Sequence, residues 1–154
     1  MKYLIVICLL VQTYSCSKKG GTVTPDPVIP DTTKPTISIT NPVPAQSFTP
    51  GTAITFQASF SDNVKLKSYE ISISKVTSGA ITLKNVPVSV PFSYTKSSTS
   101  FNTGVKQQDI ILSDINIPAN DATTIVTPGN YNFKVTCYDG SDNKTETIII
   151  ISIN

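Results

Sequence analysis

The feature that most constrains how this chain can fold is a strict alternation of apolar and polar residues. Ile54, Phe56, Ala58 and Phe60 are separated by Thr55, Gln57 and Ser59. Tyr131, Phe133, Val135 and Cys137 are separated by Asn132, Lys134 and Thr136. A period of two places one set of side chains on one face of an extended backbone, which predicts half-buried strands. Ile37 and Ile39, and then Tyr69, Ile71 and Ile73, follow the same rule. Val86, Val88, Val90, Phe92 and Tyr94 also alternate, but Pro87 and Pro91 interrupt them, which predicts an edge or irregular strand. Val105–Ile117 holds one or two more strands, and Lys144–Ile153 a last one. Asn41-Pro42, Pro50-Gly51, Asp62-Asn63, Pro128-Gly129 and Asp139-Gly140 punctuate the runs as turns. No segment sustains a helical period. About seven short strands, each with one apolar face, need a second sheet to bury against. The expected fold is therefore all-β, a β-sandwich.

The N-terminus is built differently. Lys2 precedes an apolar run, Leu4–Val11, and Thr13-Tyr14-Ser15 then lead to Cys16. A positive start, a short apolar centre and a small residue near a cleavage point make a secretory signal. The run is too short to span a bilayer, which takes roughly 20 apolar residues. Ser17–Pro35 carries Gly20-Gly21, Pro25, Pro27, Pro30 and Pro35, and reads as a semi-rigid linker. Extended, it reaches at most about 60 Å. The expected organisation is a signal peptide over 1–15, a linker over 16–35 and one domain over 36–154.

Composition removes whole classes of chemistry. The chain has no His, no Trp and no Arg, and a formal net charge of +2. Without a basic stripe, nucleic acid is excluded as a partner. Without imidazole, the commonest general base and metal ligand is missing. Of the three cysteines, Cys8 falls in the signal and Cys16 at its end, which leaves Cys137. In an alternating strand it reads as a small buried thiol, and no imidazole exists to activate it.

The placement of Cys16, followed by Ser17-Lys18-Lys19, resembles a bacterial lipoprotein signal of the looser kind found in Bacteroidetes-like organisms. That resemblance implies that Cys16 is lipidated and anchors the protein in a membrane. Ser17 does not resemble an inner-membrane retention signal, so the outer membrane is expected. The basic Lys18 and Lys19 favour its periplasmic face over the cell surface. Two further blocks resemble immunoglobulin-like or fibronectin type III-like domains. One runs from Lys34-Pro35-Thr36-Ile37 through Pro50-Gly51-Thr52 and Phe60-Ser61-Asp62-Asn63 to Tyr69-Glu70-Ile71. The other is Pro128-Gly129-Asn130-Tyr131 through Asp139, closing with Asn143. Together they resemble an uncharacterised lipoprotein family with such a domain. The stretch Lys75–Pro118 is longer than a compact seven-strand pattern needs. Tyr131, after Pro128-Gly129, is similar to a tyrosine corner, a structural role.

In an immunoglobulin-like fold two loops of one pole would bring Asp62 and Asn63 towards Asp139, Asp142 and Asn143. Several carboxylate and amide oxygens in one place suit calcium, which takes six to eight hard oxygen donors. The spacing is not that of an EF-hand, because Lys144 stands where its glycine belongs. Asp and Asn also cap tight turns, and turn chemistry alone accounts for these residues. Asp62, Asp139 and Asp142 could pair as hydrolase carboxylates, but nothing in the sequence predicts the cleft that a glycosidase needs. Ile148–Ile151 is apolar on both faces, which strand propensity explains and partner docking would also explain.

The expected role is therefore non-catalytic: a binding, adhesion or structural module at the cell envelope. If it grips an envelope protein, the loops Asn41–Thr52 and Pro118–Gly129, far from the anchor, are the expected contacts. The alternative is a glycan-binding accessory lipoprotein, for which only Tyr94 and Tyr138 remain as stacking platforms.

Overall fold

The computed structural model describes residues 29–76 and 87–154. The signal segment, Cys16, the linker up to residue 28 and Val86 lie outside the described residues. Ten strands and no helix form among the described residues. They are β1 (Thr36–Asn41), β2 (Ser47–Phe48), β3 (Ala53–Ser61), β4 (Leu66–Lys75), β5 (Val88–Val90), β6 (Tyr94–Ser100), β7 (Gln107–Asn116), β8 (Thr124–Val126), β9 (Gly129–Asp139) and β10 (Lys144–Ile153). One sheet has the order β1-β3-β7 and a second the order β2-β10-β9-β4-β6. The pairing is antiparallel except where β2 runs parallel to the end of β10. That is the strand order of an immunoglobulin-like sandwich, with the first strand divided between the two sheets.

The alternation seen in the sequence is the packing pattern. Ile54, Phe56 and Phe60 of β3 are fully buried, and so are Tyr131, Phe133, Val135 and Cys137 of β9. The two sets face each other across the sandwich. Phe56 stacks on Phe133, and Phe60, Tyr69 and Phe101 form a three-ring cluster with centroids 5.1–5.5 Å apart. Aromatic pairs at such separations add to what burial alone supplies. In β4 a register shift between Leu66 and Ser68 allows Leu66 to be buried as well as Tyr69, three residues on, which a strict period of two would not allow.

The Pro-interrupted run behaves differently from one irregular strand. It divides at Pro91-Phe92-Ser93. Val88–Val90 leaves the sandwich and pairs with Thr124–Val126 as a separate parallel two-stranded sheet, while Tyr94–Ser100 joins the edge of the larger sheet. Pro91 has no N–H to give a ladder, so the pairing stops there. Val105–Ile117 holds a single strand, β7.

The chain enters at one pole. β1 starts opposite the end of β3, where the β3–β4 and β9–β10 turns also lie. The far pole carries the loops 42–52 and 117–128 and the β5–β8 pair.

Candidate metal centre

Three carboxylates meet at the entry pole: Asp31, Asp62 and Asp139. One oxygen from each lies within 4.8 Å of those of the other two. Each is held there by local chemistry. Asp62 follows β3, and its Oδ2 accepts from Val64 N and Lys65 N, both at 2.8 Å. This is the side-chain turn expected of Asp at a strand end. Asp139 ends β9 and is fully buried. Its Oδ1 accepts from Ser141 N and Asn143 N at 2.8 Å, and its Oδ2 from Asn143 Nδ2 at 2.7 Å. Asp31 comes from the segment ahead of β1, and its Oδ1 accepts from Thr33 N at 3.0 Å and Asn63 Nδ2 at 3.3 Å.

Asn63 and Asn143 therefore stand next to the cluster as donors. The Asn143 amide lies near three acceptors, Asp139 Oδ2, Asp31 O and Thr33 O, which orients its nitrogen inward. Thr145 Oγ1 also donates to Pro35 O, and Pro35 is buried. The last five residues of the stretch read as linker are thus hydrogen-bonded onto the sandwich.

Asp142 is not part of the group. It sits in the left-handed backbone region at φ 65°, which Asp tolerates, and its carboxylate pairs with Lys67 on β4 at the exposed surface. Of the five residues picked out for calcium, two bring carboxylates to the centre, two donate to it and one faces away. Asp31 was not among them. It lies 31 residues from Asp62 in sequence, in a segment whose proline content pointed to a tether.

The electrostatics of the centre are unbalanced. Among the described residues no lysine nitrogen lies within 4.0 Å of Asp31, Asp62 or Asp139; the ion pairs are Lys67–Asp142, Lys134–Glu146 and Lys144–Glu146. Two like charges about 5 Å apart repel by roughly 3 kcal/mol at an effective dielectric near 20. Asp62 Oδ1, moreover, is buried and has no hydrogen-bond partner. A buried acceptor without a donor is costly. Cys137, buried two residues before Asp139, feels the same field. Burial first, and then the charges of Asp62 and Asp139, push its thiol up to about 12.

At the far pole Tyr131 Oη donates to Thr127 O at 2.5 Å and accepts from Phe92 N at 3.3 Å, tying the loop before β9 to the residues that follow β5. Tyr94 lines a depression of about 360 Å³ with Pro91, Phe92, Pro118, Ala119 and Ile125. Tyr138 is elsewhere. Tyr94 is opposite Ile73 of β4 and Tyr138 opposite Ser68, so about 16 Å of strand separates them and they form no common platform. Ile148 and Ile150 stand half-exposed on the outer face of β10, while Ile151 and Ile153 are buried.

Fold and sequence together place the chain among β-sandwich proteins. Residues 14–154 match the family described as Domain of unknown function (DUF4625), and the chain belongs to that family. No curated protein matches it. Among solved structures it is similar to part of a β-glucosidase from Listeria innocua. The D270A mutant in complex with laminaribiose has 12% identity and a TM-score of 0.41 over 79% of this chain. The complex with glucose has 10% identity and a TM-score of 0.41 over 77% of this chain. The match spans only 16% of either β-glucosidase chain.

Proposed function

We propose that the chain is a lipid-anchored module of the cell envelope, held at Cys16 and acting by binding rather than catalysis. In this reading it sits at the outer membrane with the domain on the periplasmic side. The observation that carries the binding reading is the β5–β8 pair. Val88 is 66% exposed and Val90 47%, at the pole opposite the one where the chain enters. Apolar side chains left in water beside a concave surface favour a contact with a partner. Among the described residues Tyr94 is the only ionisable side chain that lines the depression next to them, and no paired acid and base stand there. The one described thiol, Cys137, is buried and held protonated. Both features favour a non-catalytic role.

A second reading rests on the same depression. Tyr94, Phe92, Asn116 and Thr124 offer aromatic faces and polar groups to a sugar. A glycan would then be the partner in place of an envelope protein.

Photo-crosslinking in intact cells, from Val88 at the far pole and from Lys106 at the entry pole, tests the binding reading. Protein adducts from Val88 alone support an envelope protein partner; no adduct from Val88 together with binding on a glycan array supports the sugar. No adduct and no glycan binding overturns both. Anchoring is tested by fractionation. Cys16→Ala should leave the membrane fraction, and wild type should resist protease added to whole cells. Retention of Cys16→Ala would remove the lipid anchor, and shaving of wild type would move the domain to the cell surface.

A further inference from the structure

We propose that Asp31, Asp62 and Asp139 hold a calcium ion, and that the ion fastens the segment ahead of β1 to the entry pole of the sandwich. Three independent observations meet here. The first is spacing. Calcium binds oxygen at about 2.3–2.6 Å, so two ligands on opposite sides of one ion lie about 4.6–5.2 Å apart. The three carboxylates, all within 4.8 Å of one another, can therefore share one ion. Magnesium demands near-ideal octahedral geometry and sheds water reluctantly, so a set of three protein carboxylates suits calcium better. The second is the buried oxygen Asp62 Oδ1, which has no hydrogen-bond partner within the described protein. It is an acceptor in a place where only a cation or a donor brought from outside can satisfy it. The third is charge. Among the described residues no ammonium group lies within 4.0 Å of the three carboxylates, so none of them forms an ion pair there.

The donor set also selects the ion. Carboxylate oxygens suit hard cations, whereas zinc and copper favour imidazole and thiolate. The chain has no His. Asp62 Oδ2 and Asp139 Oδ1 each already accept from two backbone N–H groups, so the remaining coordination positions fall to water, which calcium sites commonly include.

The consequence follows from where the ligands originate. Asp62 follows β3 and Asp139 ends β9, strands of opposite sheets, whereas Asp31 precedes the sandwich. An ion between them closes three separate pieces of chain on one point. Without it, the segment is held by hydrogen bonds from Asn63, Asn143 and Thr145. Calcium would thus set the direction in which the domain leaves its tether. The ion site stands apart from the anchoring reading; only this consequence for orientation rests on it.

Titration calorimetry with calcium chloride on the full chain, in detergent and after chelator treatment, tests the site whether or not Cys16 carries lipid. A dissociation constant of about 10⁻⁴–10⁻³ M is expected, the range of extracellular calcium modules. Asp31→Asn, which alters no strand, should weaken binding roughly tenfold or more, because ligand charge sets affinity. Asp142→Asn should leave it unchanged. Hydrogen exchange over residues 29–36 should slow when calcium is added to wild type and not to Asp31→Asn. Absence of heat at 10 mM calcium, equal affinity for magnesium, or loss of binding in Asp142→Asn but not in Asp31→Asn would overturn the site. Calcium binding with no change in exchange over 29–36 would overturn the fastening role.

Discussion

Phe56 of β3 lies against Phe133 of β9 with ring centroids 5.6 Å apart and planes inclined by 22°. Both rings are fully buried, and they come from opposite sheets. This pair joins the two layers, as Phe60 of β3 and Tyr69 of β4 also do at 5.5 Å. Replacing either ring by Ala leaves a cavity between the sheets that neither backbone can close. Phe56→Ala and Phe133→Ala should each cost about 3–5 kcal/mol, measured by urea unfolding. The double variant should cost less than the sum, because the two rings share one contact.

Tyr131 joins two parts of the far pole through one oxygen, which donates to Thr127 O and accepts from Phe92 N. Tyr131→Phe keeps the ring in the core and removes only that oxygen. The buried Phe92 N–H and the part-buried Thr127 carbonyl lose their partner, so a loss of about 1–3 kcal/mol is expected. Slowed unfolding or unchanged stability would contradict a structural role for the hydroxyl. Because β5 is tied to the sandwich near Phe92, hydrogen exchange should rise at Val88–Val90 before it rises in β3.

Cys137 ionises with difficulty in the folded chain, at about 12 against an ordinary 9.0, first because of burial and then because of the Asp62 and Asp139 charges. Burial raises Tyr69 and Tyr131 in the same direction. In the unfolded chain these groups lose their protons at lower pH than in the folded one. Their contribution to stability is therefore intact below pH 9 and declines as the pH rises towards 12. Stability should fall on the alkaline side, and Cys137→Ala should lose it less steeply between pH 9 and 11. A disulfide reagent should modify Cys137 only after denaturation; rapid modification of the native protein would contradict its burial.

Asp121 titrates the other way. Its Oδ1 accepts from Thr123 N and Thr123 Oγ1 at 2.8 Å and from Thr124 N at 2.7 Å. The Thr123 backbone bond, followed by the Thr123 hydroxyl and the Thr124 amide, holds its carboxyl below the ordinary 3.8. The stability it adds to the turn before β8 is present above pH 3.8 and fades as the pH falls through the lower folded value. A carboxyl-detected NMR titration should place its midpoint below 3.8. Asp121→Ala should loosen β8 at neutral pH.

What was legible in the sequence was local. Ile54-Thr55-Phe56 and Tyr131-Asn132-Phe133 state which side of a strand is buried, because successive side chains of an extended chain point to opposite faces. Pro91 marked an edge or irregular strand, because proline has no N–H to donate to a ladder. It did not announce that Val88–Val90 would find a parallel partner in Thr124–Val126, since nothing in a short apolar run names the strand it will meet. The burial of both Leu66 and Tyr69 depends on a register shift against β9, which is set by the partner strand and not by β4 itself.

The same division runs through the entry pole. Asp62 and Asp139 could be placed together from the sequence, because both follow strands that end at one pole of a sandwich. Asp142 could not be set apart from them, as its left-handed backbone turns it to Lys67. Asp31 could not be added, as it reaches the centre only through its docking by Asn63 and Asn143. Alternation and turn residues determined an all-β chain with one apolar face per strand, because those preferences act between neighbours along the backbone. Which strands pair, which carboxylates share a site, and which apolar residues stay in water were decided by the tertiary structure alone, because each depends on residues far apart in sequence that only the packed sandwich brings within a few ångströms.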